Sequence, residues 1–96
     1  MSVLEHVVLT IDPAEADAYE AAFHEARPLI EGQHGCGGAR LVRVLETPGR
    51  YVLLVEWATL EDHMEGFRSS PEFPRWRELL HHFYVITPEV EHGVSV

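Results

Sequence analysis

The chain has 96 residues, 46% hydrophobic and 24% charged, which is enough for one small domain (1–96) built on a single core and is not a disordered composition. Sixteen acidic against seven basic residues give a formal charge of −9, which repels phosphate backbones and anionic bilayers, so neither nucleic acid nor a membrane is an expected partner. No apolar run reaches the ~20 residues of a bilayer span, the N-terminus lacks a basic-then-apolar leader pattern, and the lone Cys36 allows no intrachain disulfide. A cytoplasmic protein is expected.

In chain order, VLEHVVLTI (3–11) is rich in β-branched residues and predicts a first strand, with Val7, Leu9 and Ile11 on one face and Leu4 and Val8 on the other. Asp12-Pro13-Ala14-Glu15 is a helix start: a capping carboxylate, a proline at the first helical position and an acid in a capping-box position. Tyr19, Phe23, Ala26 and Ile30 then recur at helical spacing as one apolar stripe, and Pro28 predicts a kink or an early stop. GQHGCGG (32–38) is a turn-rich connection; it lacks a Gly-Lys-Ser/Thr ending and leads into a strand, so turn chemistry explains it better than phosphate binding.

ARLVRVLE (39–46) and RYVLLVEW (50–57) predict two strands joined at Thr47-Pro48-Gly49. Thr59 caps a helix whose first turn carries Glu61 and Asp62. Ser69-Ser70-Pro71 ends that helix and starts another, with Ser70 expected as N-cap and Pro71 at the first position. FYVITPEVEH (83–92) closes the pattern as a strand interrupted at Pro88. The order β-α-β-β-α-α-β predicts a ferredoxin-like α+β fold: a four-stranded antiparallel sheet with the helices on one face.

Helices in so short a chain cover one sheet face, yet both faces carry apolar residues. In 50–57, Tyr51, Leu53, Val55 and Trp57 share one side, and Val52 and Leu54 the other. A homodimer formed by packing of the uncovered sheet faces is expected.

Residues 61–83 crowd three histidines and several aromatics together. Helical spacing puts Leu60, His63, Met64 and Phe67 on one stripe, and Phe73, Trp76, Leu79, Leu80 and Phe83 on a second. The aromatics read either as core or as pocket wall. His63 reads either as a buried neutral histidine with one hydrogen-bond partner or as a group for proton transfer and ligand recognition. Metal binding is not expected, because no His-Glu-x-x-His or Cys-x-x-Cys spacing occurs, and His81 and His82 diverge by about 100° at the end of a helix.

The tryptophan ending the third strand, the histidine six residues later and the following Phe-x-x-Ser-Pro-x-Phe are here Trp57, His63, Phe67, Ser70, Pro71 and Phe73. With the closing PEVEH, these resemble the antibiotic biosynthesis monooxygenase (ABM) family over essentially the whole chain. The resemblance implies a dimeric α/β barrel in which each subunit has its own pocket between sheet and helices. It also implies oxidation of a small aromatic phenol, quinol or polyketide-like substrate by molecular oxygen, without metal, heme or flavin.

On that reading Trp57, Phe67, Phe73 and Trp76 would hold a planar small aromatic ligand. His63, with Tyr51 or His6 as lesser candidates, would hydrogen-bond the substrate or take its phenolic proton. The heme-degrading branch of the family uses a histidine shortly after the Phe; here Pro74, Arg75, Trp76 and Arg77 follow Phe73, with no histidine until His81. A non-catalytic small-molecule binding or sensing dimer on the same fold is the alternative, and a cyclase or isomerase on the same scaffold is a further one.

Overall fold

The computed structural model describes residues 2–96. Four strands, β1 (Val3–Thr10), β2 (Cys36–Arg43), β3 (Arg50–Trp57) and β4 (Glu89–Gly93), form one antiparallel sheet in the order β2-β3-β1-β4. Helix α1 (Ala16–Glu31), a π-helical turn (Asp62–Phe67) and helix α2 (Phe73–Leu80) complete the ferredoxin-like α+β arrangement. Among the described residues no helix is long and apolar enough to cross a membrane.

The chain enters α1 through a 3₁₀ turn whose Ala14 N–H donates to the Asp12 carboxylate at 3.0 Å. Tyr19, Phe23, Ala26 and Ile30 are the buried residues of α1, as the apolar spacing requires. Pro28 neither stops nor shortens the helix, contrary to expectation. It lies on the exposed side in the last turn, and its carbonyl accepts from Gly32 N–H at 3.0 Å as the helix ends.

The β2–β3 connection turns at Gly49, which has φ 84°; a Cβ there would collide with the Ile11 carbonyl oxygen, so this hairpin requires glycine. β2 begins earlier than its apolar pattern suggests, at Cys36, because the Gly37-Gly38 region pairs with the end of β3 through a register shift. The last strand is much shorter than predicted. Phe83 belongs to a 3₁₀ turn (His81–Phe83), Tyr84 makes an isolated bridge to Ile11, and ladder pairing resumes at Glu89, beyond Pro88.

The split of the second helix is real, but its geometry differs from a pair of ordinary helices. Thr59 Oγ1 accepts from Asp62 N–H and the Asp62 carboxylate accepts from Thr59 N–H, both at 3.2 Å, which starts the first segment as predicted. Its turn then widens, with Arg68 N–H reaching the His63 carbonyl five residues back. The wide turn keeps His63 and Phe67 buried and swings Leu60 and Met64 outward, so the predicted four-residue stripe is halved.

Ser70 does not act as the N-cap of α2. Its hydroxyl donates to the Phe67 carbonyl at 2.7 Å, finishing the previous segment, and α2 starts three residues later at Phe73-Pro74. Gln33 fixes the start of α2 against the end of α1, donating to both the Leu29 carbonyl and the Glu72 carboxylate.

All three helical segments lie on one side of the sheet, over Val7, Leu9, Ile11, Ala39, Tyr51, Leu53, Val55 and Trp57. On the other side Leu4 and Val42 are each 41% exposed, with Val8, Val52 and Leu54 half-buried beside them.

Candidate functional site

One end of the covered sheet face carries polar groups where hydrophobic ones would be expected. Strand alternation puts Glu5 in phase with Val7, Leu9 and Ile11, so its carboxyl points into the protein and is 4% exposed. Register places His92 of β4 directly opposite Glu5, while Trp57 of β3 lies diagonally across from it. Three strands thus bring Trp57, Glu5 and His92 into one row, and the π-helical turn lowers His63 onto it.

The contacts within this group are specific. Trp57 Nε1–H donates to Glu5 Oε1 at 2.9 Å. His63 lies 21° from parallel to the Trp57 ring at a centroid distance of 5.4 Å. Its Nε2 is 3.4 Å from the same Glu5 oxygen, and its Nδ1 is 2.8 Å from His92 Nε2. His63 is itself 4% exposed.

Burial raises the Glu5 carboxyl above its usual 4.5, against the Trp57 hydrogen bond and the Arg68 charge, which lower it. Burial depresses His63 to about 4, helped by the charges of Arg68 and His92. The ordinary order of basicity is therefore inverted: a proton shared by this pair resides on the carboxyl before the imidazole. Above about pH 4 the imidazole is neutral, so its 3.4 Å contact with Glu5 is not a salt bridge.

Glu5 and His63 form part of the wall of a cavity of about 350 Å³ between sheet and helices. Val7, Leu9, Leu53 and Val90 line it from the sheet, and Phe67, Phe73 and Trp76 from the helices. Phe67 packs edge-on to both Phe73 and Trp76, with centroids 5.1 and 5.6 Å away. Arg68, Arg77, His81 and Tyr84 also line the cavity.

Of the residues singled out in the sequence, His63, Phe67, Phe73 and Trp76 come together in this wall. Trp57 does not line the cavity; it is fully buried behind His63 and serves as its backing. Tyr51 lies near the far end of the same face, where its hydroxyl donates to Glu20 at 2.6 Å, away from the cavity. His6 pairs with Leu54 and Glu91 on the opposite sheet face, because adjacent strand residues alternate sides, and it cannot reach the cavity. Ser70 is committed to its Phe67 contact, and burial raises the Cys36 thiol, which keeps it protonated.

Glu5, His92, Arg68 and Arg77 are not among the candidates that the sequence pattern selects. Glu5 had a usable signal, a carboxylate in phase with three apolar strand positions. His92 had none, since β4 is short and only weakly patterned. Among the described residues no group of three or more His, Cys, Asp or Glu side chains is placed to share a metal ion.

Comparison with known proteins leads to the same ferredoxin-like fold. The sequence model of the antibiotic biosynthesis monooxygenase family matches residues 2–79, and the chain belongs to that family. The uncharacterised protein YczJ of Bacillus subtilis (strain 168) is 46% identical over 94 residues, spanning 98% of this chain and 99% of its own.

A crystal structure from Bordetella bronchiseptica, assigned by name to the antibiotic biosynthesis monooxygenases, superposes with a TM-score of 0.94 at 36% identity, covering 99% of this chain and 97% of that one. SnoaB of Streptomyces nogalater, described as a cofactor-independent oxygenase, shares the fold at a TM-score of 0.79 and 20% identity, over 98% and 92% of the two chains.

Proposed function

We propose that this protein is a cofactor-independent monooxygenase that oxidises a small electron-rich aromatic, a phenol, quinol or polyketide-like compound, with molecular oxygen. The observation that carries this reading is the buried Glu5–His63 pair set in the wall of an aromatic cavity. Family membership and the description of SnoaB as a cofactor-independent oxygenase support it.

The chemistry asks little of the protein beyond binding, desolvation and removal of one proton. Phe67, Phe73 and Trp76 hold the ring. The phenolic proton passes to the Glu5–His63 pair, with Glu5 in its carboxylate form as the stronger base. The phenolate then supplies electrons to oxygen, and a C–O bond forms at a ring carbon bearing hydrogen. The O–O and C–H bonds break, and the second oxygen atom leaves as water. Phenol plus O₂ gives quinone plus water, so no external reductant is required.

The test is oxygen uptake by chelator-treated protein across a panel of phenols and hydroquinones. Turnover above background is expected with at least one of them, falling on the order of a hundredfold in His63→Ala. Absence of turnover across the panel would contradict the reading.

A second reading, a non-catalytic small-molecule binding dimer, draws on the fact that both ring nitrogens of His63 already have partners, as in a purely structural histidine. Saturable binding without oxygen uptake would favour it.

On either reading we infer a homodimer joined through the open sheet faces, where Leu4 and Val42 are exposed. Sedimentation should give twice the monomer mass at micromolar concentration; a monomer there would refute it. The unpaired Cys36 fits a reducing cytoplasm, which cell fractionation would test.

A further inference from the structure

All seven basic residues of the chain other than histidine are arginines, and three of them are committed to carboxylates. Arg27 pairs with Glu31, Arg43 with Glu20, and Arg75 with Glu25 and Glu78. Arg40, Arg50, Arg68 and Arg77 make no ion pair among the described residues. Two of these four, Arg68 and Arg77, line the same cavity, and His81 lies beside them.

The chain carries 16 acidic residues against seven arginines, yet these two guanidinium groups have no carboxylate partner among the described residues. The one carboxyl that lines the cavity, Glu5, is on its buried wall and already accepts from Trp57. The positive charge of Arg68 acts on both Glu5 and His63, so it lies electrically close to the pair.

An aromatic floor with two uncommitted guanidinium groups suits a planar ring carrying a carboxylate, which arginine binds in a fork geometry. We propose that the cavity selects aromatic substrates bearing an anionic group, with Arg68 and Arg77 as the residues that determine this preference. The inference rests on the reading of the cavity as the substrate site.

Isothermal titration calorimetry under nitrogen, comparing gentisate (a hydroquinone with a carboxylate) and its neutral amide gentisamide, tests the proposal without needing turnover. Gentisate should bind about tenfold more tightly, and added salt should erode that advantage while leaving gentisamide unaffected. Because both arginines are exposed, Arg68→Ala and Arg77→Ala should fold normally. Each should weaken gentisate about three- to tenfold and leave gentisamide unchanged. Arg50→Ala, an unpaired arginine away from the cavity, should change neither.

Equal affinity for the two compounds, or variants that weaken both alike, would overturn the anion preference while leaving the pocket intact. Failure of both compounds to bind the unmodified protein would instead refute the reading of the cavity itself.

Discussion

The covered face of the sheet has a polar cluster near each end, and the two are built on opposite plans. Near the start of β3, Tyr51 donates to Glu20, which also accepts from Arg43 at 2.6 and 2.8 Å, while the Tyr19 and Tyr84 hydroxyls meet at 3.0 Å. At the end of β3, ~20 Å along the strand, Trp57, Glu5, His63 and His92 form the other cluster.

In the first, the carboxylate is half-exposed: Glu20 is held below the usual carboxylate value, first by its hydrogen bond to Arg43 and then by Tyr51. In the second, the carboxyl is buried, raised, and placed on the wall of a cavity. A network whose charges are paired and hydrated braces the fold. A network whose acid and base are both driven toward neutrality beside an aromatic space is equipped to exchange a proton.

The largest effect that would separate the two ends is on turnover. Glu5→Gln keeps the shape of the side chain and an acceptor for Trp57 but removes the base, so kcat for oxygen uptake should fall about a hundredfold. Tyr51→Phe should leave kcat unchanged. If the two variants were to lose activity equally, the distinction drawn between the clusters would fail.

A second contrast lies in stability against pH. The folded-state pKa of Glu5 is raised, so the folded protein loses stability as pH climbs through it. That of His63 is depressed from 6.5 to about 4, so stability is lost as pH falls from about 6.5 toward 4. Removing the carboxyl relieves the first loss and leaves the second. The urea midpoint of Glu5→Gln, relative to the unmodified protein, should therefore rise with pH. A difference that stayed flat from pH 4 to 8 would contradict the burial argument.

The smallest effect belongs to the bracing cluster. Tyr51→Phe deletes one hydrogen bond to a carboxylate that keeps Arg43 as partner, and should cost about 1 kcal/mol in denaturant unfolding.

Most of the framework follows from periodicity alone. β3 runs over the eight residues of its alternating pattern, and the α1 stripe buries the four positions that helical spacing selects. The misses have local causes. A π-helical turn has a different period from an α-helix, so Leu60 and Met64 leave a stripe that sequence spacing had put them on. A serine before proline can serve either the helix it ends or the one it begins, and Ser70 serves the first.

The helical half of the candidate cavity was legible, through His63, Phe67, Phe73 and Trp76. Its sheet half depends on pairing across β3, β1 and β4, which brings residues 5, 57 and 92 together from distant parts of the chain. His6, chosen for its chemistry, has the wrong strand parity; Glu5, one residue earlier, has the right one.

The most direct test of the account is where the proton sits in the Glu5–His63 pair. Nitrogen-15 NMR of the histidine side chains across a pH titration reports each ring's protonation. The His63 imidazole should stay neutral from pH 8 down to about pH 4, in folded protein, and become charged only there. A His63 ring carrying both protons at pH 6 would show an ordinary ion pair with Glu5 and would contradict the inverted order on which the proposed chemistry depends.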